Sequence, residues 1–171
     1  MAGFRDALAV TLELEGGMVD HPHDTGGRTK WGITTARYHR WLRDQGLPIL
    51  PVDAMTPGQR DVIYGEEWRI ARGDDLPWPV AALHFDAVVH HGPNLAGRLL
   101  QRAVGATEDG IVGPRTMAAV NRMGPDRTAS LMLLHRTLEL WRQTLERSGQ
   151  GVFARGWRNR VLHLGRQYLT P

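Results

Sequence analysis

Three residues near the start of the chain have the types and the spacing to do acid–base chemistry: Glu15, Asp24 nine positions on, and Thr29 five after that. Cleaving a glycosidic bond requires an acid on one side of the scissile oxygen and a carboxylate or activated water on the other. Glu15 falls where a helical period runs into Gly16-Gly17. The helix dipole at such an end disfavours added negative charge and so favours the proton-donating form of a carboxyl. The same residues admit a plain structural reading, with Glu15 a solvated helix-terminal acid and Asp20 and Asp24 turn formers. A metal reading would use His21-Pro22-His23-Asp24 with His90-His91. Against it, Pro22 splays its two neighbours, no HExxH spacing occurs, and adjacent side chains such as His90 and His91 diverge by about 100° around a helix.

The elements that must position these groups read as helix after helix. Phe4, Leu8 and Leu12 share one face of a helix over 3–14. Residues 18–33 lack helical period and read as a loop or short hairpin. Thr34 is placed to cap a helix running to about Gln45 and closed by Gly46. After an irregular connection over 47–55, Thr56-Pro57-Gly58-Gln59 has the form of a capping box with proline in the first helical position, opening a helix to about Ala71. Residues 80–90 are apolar on nearly every side apart from His84 and Asp86, which predicts a buried central helix. Asn94 is placed to cap the next helix, ending near Val104. A loop over 105–113 leads to a short helix from Pro114 to Gly124. Asp126 is placed to cap a long helix whose Leu131, Leu134, Leu138, Trp141 and Leu145 follow the spacing of a packing seam. A last helix carries Phe153, Trp157, Val161, Leu164 and Tyr168. The expected fold is mostly α with one irregular loop or short hairpin at the active site.

Composition narrows the classes. A chain of 171 residues with 42% hydrophobic and 23% charged residues can build a real core. It has no cysteine, which excludes disulfides and thiolate–zinc sites. No run of about 18 apolar residues is present to span a membrane. Asp6, Glu13 and Glu15 interrupt the first stretch, so no Sec signal is expected. The net charge is +3 and the pI about 9.9, which favours an anionic partner. The basic residues, all arginine except Lys30, are scattered rather than clustered, which argues against nucleic acid.

The stretch Leu14-Glu-Gly-Gly-Met-Val-Asp-His-Pro-His-Asp-Thr-Gly-Gly-Arg-Thr-Lys-Trp-Gly-Ile-Thr34 resembles the signature of glycoside hydrolase family 108. That family comprises muramidases of phage-endolysin and secretion-associated type and is similar to phage lysozymes. The resemblance implies a lysozyme-like helical fold, with Glu15 as the catalytic glutamate and Asp24 and Thr29 as its partners in the loop. Met18 stands where the family has an aromatic residue, His21 where it has Asn or Asp, and Thr25 where it has Pro. Tyr64 and Trp68 match its Ile-Tyr-x-x-x-Trp. Phe85-Asp86 and Gly92 match a further segment in which His90 replaces Asn. Under this reading Trp31 and Tyr64 stack on sugars or belong to the core. Asp86 lines the cleft floor or satisfies buried backbone, and His91 and Asn94 join the substrate-binding set. Leu100 to Val120, centred on Asp109-Gly110-x-x-Gly113-Pro114-x-Thr116, resembles a peptidoglycan-binding helical module, and Gly156-Trp157-Arg158-Asn159-Arg160 is expected to pack on the catalytic part.

The implied organisation is a catalytic region over 1–93 and a helical peptidoglycan-binding-like region over 94–171. The implied activity is cleavage of the β-1,4 bond between N-acetylmuramic acid and N-acetylglucosamine, without metal or organic cofactor, and the likeness to phage lysozymes points toward inversion. The implied partner is the glycan strand. The protein is expected to be a monomer that neither inserts in membranes nor binds nucleic acid. It would be made in the cytoplasm and reach the periplasmic wall through a holin or a dedicated secretion system. Two other readings compete: a non-catalytic wall-binding or secretion-accessory protein on the same fold, and a metal-dependent amidase or peptidase using the histidines.

Overall fold

The computed structural model describes residues 2–15, 28–146 and 154–169. These residues form eight helices and one two-stranded hairpin, the mostly α, lysozyme-like architecture expected. They group into two compact units, Leu8–Glu66 and Met1–Ala7 with Glu67–Pro171.

The first unit is organised by its caps. Helix α1 spans Phe4–Glu15, so Glu15 is its last residue. Strands β1 (Thr29–Lys30) and β2 (Ile33–Thr34) pair antiparallel, with Thr29 opposite Thr34 and Lys30 opposite Ile33. The two residues between them, Trp31 and Gly32, both have positive φ, 53° and 75°, the backbone that a tight two-residue hairpin requires. Thr34 then caps α2 (Thr35–Asp44) by accepting from Arg37 N at 3.2 Å. A 3-10 turn at Val52–Ala54 holds the ammonium of Lys30, which donates to the carbonyls of Asp53 and Met55 at 2.7 and 2.9 Å. The capping box opens α3 (Pro57–Ile70) as expected: Gln59 N donates to Thr56 Oγ1 and Thr56 N to Gln59 Oε1. Ile33, Tyr38, Leu42, Val52, Met55, Ile63 and Tyr64 form the core of this unit.

The second unit is built around α4 (Val80–His91), buried from Val80 through Val88. It packs against α5 (Pro93–Val104) and α7 (Pro125–Glu146); α6 (Pro114–Met123) joins α5 and α7, and α8 (Ala154–Tyr168) lies on α7. Helix α4, which the sequence reading groups with the residues before it, thus packs with the helices that follow. Phe4, Trp68 and Phe85 meet as an aromatic cluster with centroids 5.5–6.1 Å apart.

Three local expectations are corrected. Asn94 does not cap α5, and Asp126 does not cap α7. Pro93 and Pro125 are the first residues of these helices, which leaves the residue after each proline inside the first turn. The leucine and tryptophan stripe of α7 is not a packing seam. Leu134, Leu138, Trp141 and Leu145 are exposed, while Ala129, Met132, Leu133, Arg136, Glu139 and Leu140 face the bundle.

Candidate functional site

At the end of α1 the half-buried Glu15 carboxyl lies directly against the hairpin turn. A Cβ built on Gly32 would collide with Glu15 Oε2 and come within 2.9 Å of both Cγ and Cδ. Only glycine allows this approach, and the positive φ of Gly32 favours glycine independently. Thr29 sits on the first strand of the same hairpin, half-buried and paired with Thr34. The structure therefore brings Thr29 and the turn into the element that covers Glu15. Asp24 lies outside the described residues, as do Met18, Asp20, His21, His23 and Thr25.

The turn is braced from below. Tyr64 has no accessible surface, and its hydroxyl donates to the Trp31 carbonyl at 2.7 Å. It is thus a core residue that holds the turn, not a face on which a sugar stacks. Trp31 is partly exposed, but two cations attend its ring: Lys30 Nζ lies 4.4 Å and the Arg60 guanidinium 4.9 Å from its centroid. Arg37 stands 5.7 Å over the Tyr64 ring. The local field is cationic, tempered by Asp53 on Arg28 and Asp61 on Arg60. Sequence reasoning missed Gly32, Lys30 and Arg60. The signal for Gly32 was present in the six residues Thr29 to Thr34, where two β-prone pairs flank a two-residue turn. The cations could not be placed without knowing which carbonyls and rings lie beside them.

The other expected residues lie in the second unit. Asp86 is 1% exposed and is bridged by two arginines: Arg136 Nη1 at 2.6 Å, and Arg160 through Nη2 at 2.7 Å and Nε at 3.1 Å. Burial alone would raise its pKa, but Arg136 and Arg160 more than offset this and hold the carboxyl below the usual range. It is the anion of a buried ion triad with Arg136 and Arg160. Burial lowers the pKa of His84 to about 4. Burial and the neighbouring Arg136 lower His90 to about 2 and His91 to about 3. The rings of His90 and His91 do not diverge. They meet edge to face, with Nδ1 of one 3.2 Å from Nε2 of the other, because side-chain torsions bring together rings whose Cα–Cβ bonds point apart. Among the described residues, no three of His, Asp or Glu gather as a metal site would need. Asn94 is exposed at the start of α5.

The Asp109–Thr116 motif is knitted by one side chain. Gln101 Nε2 donates to Asp109 Oδ1 at 2.6 Å, to the Ile111 carbonyl at 3.0 Å and to Thr116 Oγ1 at 3.3 Å, while Gly110 N donates to Gln101 Oε1 at 2.8 Å. The motif fixes a turn between two helices, with Thr116 buried and Asp109 at the surface.

Comparison with known proteins sets a family boundary just after α4. Residues 8–92 match the family model of glycosyl hydrolase 108, and residues 95–162 match one described as a predicted peptidoglycan domain. Among solved structures, that of Brucella abortus SagA is similar, with a TM-score of 0.81 and 34% sequence identity over 96% of this chain and 92% of the other. No curated protein sequence matches.

Proposed function

Because the chain belongs to the glycosyl hydrolase 108 family and is a glycoside hydrolase acting on peptidoglycan, we propose that it is an N-acetylmuramidase that cleaves the β-1,4 bond between N-acetylmuramic acid and N-acetylglucosamine, with Glu15 as its general acid. The observation that supports this reading is the seating of the Glu15 carboxyl under the Trp31-Gly32 turn. A proton donor works only if held within hydrogen-bonding reach of the leaving oxygen, and a carboxyl fixed by a helix end and a backbone turn has little freedom to wander.

Glu15, protonated, donates to the glycosidic oxygen as the bond lengthens, and the sugar develops oxocarbenium character. Water attacks the anomeric carbon from the other face. In this reading Asp24 and Thr29 orient that water, and the outcome is inversion. Lys30 and Arg60 beside Trp31 supply positive potential for the lactyl and stem-peptide carboxylates of the substrate. The wall it acts on is the periplasmic one, reached by way of a holin or a dedicated secretion system.

The test is hydrolysis of purified sacculi by wild type and Glu15→Gln, with reducing ends assayed and the fold checked by circular dichroism. Loss of a general acid costs roughly 10²–10⁴-fold. A folded Glu15→Gln protein that still releases reducing ends at more than a few per cent of the wild-type rate removes Glu15 from that role. Proton NMR of the first-formed anomer decides inversion.

A further inference from the structure

We infer that the groove between α7 and α8 is the peptidoglycan-contacting site of the second unit, with its indoles on the sugar faces and its guanidiniums on the lactyl and stem-peptide carboxylates; this rests on the reading that the protein acts on peptidoglycan. The matched peptidoglycan domain runs to residue 162 and so includes all of α7 and the first half of α8. Its most distinctive motif, Asp109 to Thr116, fixes a turn through Gln101, while Trp141, Arg155 and Arg158 are exposed together along one cavity of α7 and α8.

The exposed stripe of α7 marks the contact surface. Trp141 is 66% and Leu145 71% exposed, and with the exposed Leu134 and Leu138 they form a contiguous apolar stripe, the kind of patch that marks an interaction site. Beside Trp141 opens a cavity of about 970 Å³ lined by Thr144, Arg155, Trp157, Arg158 and Leu162, among others, a size suited to a small segment of polymer. Two tryptophans, hydroxyls and two guanidiniums form a set that fits an amphipathic anionic glycan. Sugar CH faces lie on indoles, and carboxylates take paired N–H donors from arginine.

Charge selects among occupants. Helix α8 contains Arg155, Arg158, Arg160 and Arg166 and no Asp or Glu. A second copy docked with α8 against α8 would set arginine against arginine. A bilayer would need a continuous convex apolar face, whereas here threonines Thr137 and Thr144 line a concavity.

The test uses full-length protein in a Glu15→Gln background, so that binding is read without digestion. Purified sacculi are sedimented with this parent, with Trp141→Ala and with Arg155→Glu/Arg158→Glu, all of them exposed positions. Expected is a fall in apparent affinity of severalfold to tenfold for Trp141→Ala and tenfold or more for the charge reversal. In the Glu15-containing forms, turnover of short soluble muropeptide oligomers should stay within twofold of wild type. Parent-like sedimentation of both variants overturns the inference. So does unchanged sacculus binding accompanied by lost self-association in light scattering, or by lost binding to phosphatidylglycerol vesicles. A parent that does not sediment at all overturns the peptidoglycan reading beneath it, a separate result.

Discussion

Replacing Gly32 with alanine separates backbone strain from displacement of the catalytic carboxyl. Two costs are expected. Holding alanine at φ 75° costs about 1–2 kcal/mol, which in a chain of this length lowers Tm by roughly 2–8 °C. The added methyl also meets Glu15: its distance to Cγ and Cδ, 2.9 Å, falls half an ångström short of the 3.4 Å at which ordinary contact begins, and Oε2 is closer still. The carboxyl must therefore swing away from its seat. A misplacement approaching 1 Å at a reacting group costs on the order of 10²-fold in rate. Gly46 supplies the control. Its φ is 66°, in the same left-handed region, and a Cβ there meets nothing within 4 Å. Gly46→Ala should share the loss of Tm and keep wild-type turnover, while Gly32→Ala should lose kcat by about 10²-fold with KM changed far less. The assay is reducing-end release from sacculi alongside thermal denaturation of each variant. A Gly32→Ala enzyme within about twofold of Gly46→Ala in kcat would refute the claim that this turn positions Glu15.

The remaining predictions concern the second unit and its pH response. Asp86→Ala leaves Arg136 and Arg160 buried without their anion and should destabilise by about 3–5 kcal/mol, seen as a large drop in the denaturation midpoint. Gln101→Ala strands the turn groups it satisfies and should cost about 2–4 kcal/mol, with hydrogen exchange rising over residues 105–113. The folded-state pKa values of His84, His90 and His91 lie below the unfolded value near 6.5, at about 4, 2 and 3. The unfolded chain therefore takes up protons first, and Tm should fall as pH drops from about 6.5. The depressed carboxyl of Asp86 adds a further loss below about pH 4. His84→Gln should flatten the upper part of that slope, and a slope unchanged by the substitution would contradict its assignment to this histidine.

What was legible in the sequence was what is decided within one turn of chain. The Thr34 cap and the Thr56–Gln59 box are bonds between residues three apart, and the buried character of α4 needs only its own composition. The caps at Asn94 and Asp126 failed for an equally local reason, since proline takes the first helical position and shifts the boundary by a residue. The face of α7 was not legible because its rotation is set from afar. The helix carries two apolar faces, and the one turned inward also contains Arg136 and Glu139, which any pattern rule sends to solvent. Arg136 points inward because Asp86, fifty residues earlier, is buried there and needs a counterion. Once Arg136 is committed to Asp86, Leu134, Leu138, Trp141 and Leu145 have nowhere to go but out. The first part of the site divides the same way: the hairpin at Thr29 to Thr34 could be read from its residues, but the packing of Gly32 on Glu15 joins positions seventeen apart.

The same accounting changes what the basic composition means. A net charge of +3 suggests a weak positive film over the whole surface, yet many arginines are committed to acids of the same chain, two in the interior and the others at the surface. Arg136 and Arg160 hold Asp86; Arg102 holds Glu108, Arg142 holds Glu139 and Glu146, and Arg72 holds Asp75. Among the described residues, cations stand beside accessible tryptophan in two places: at Trp31, where Arg60 is also paired with Asp61 and Lys30 with two carbonyls, and in the cavity that Arg155 and Arg158 line with Trp141 and Trp157. An indole next to a cation suits a ligand whose sugar faces and carboxylates alternate along one strand. The selectivity for peptidoglycan proposed here thus rests on two local pairings of aromatic ring and charge, one in each unit, and not on the overall excess of arginine.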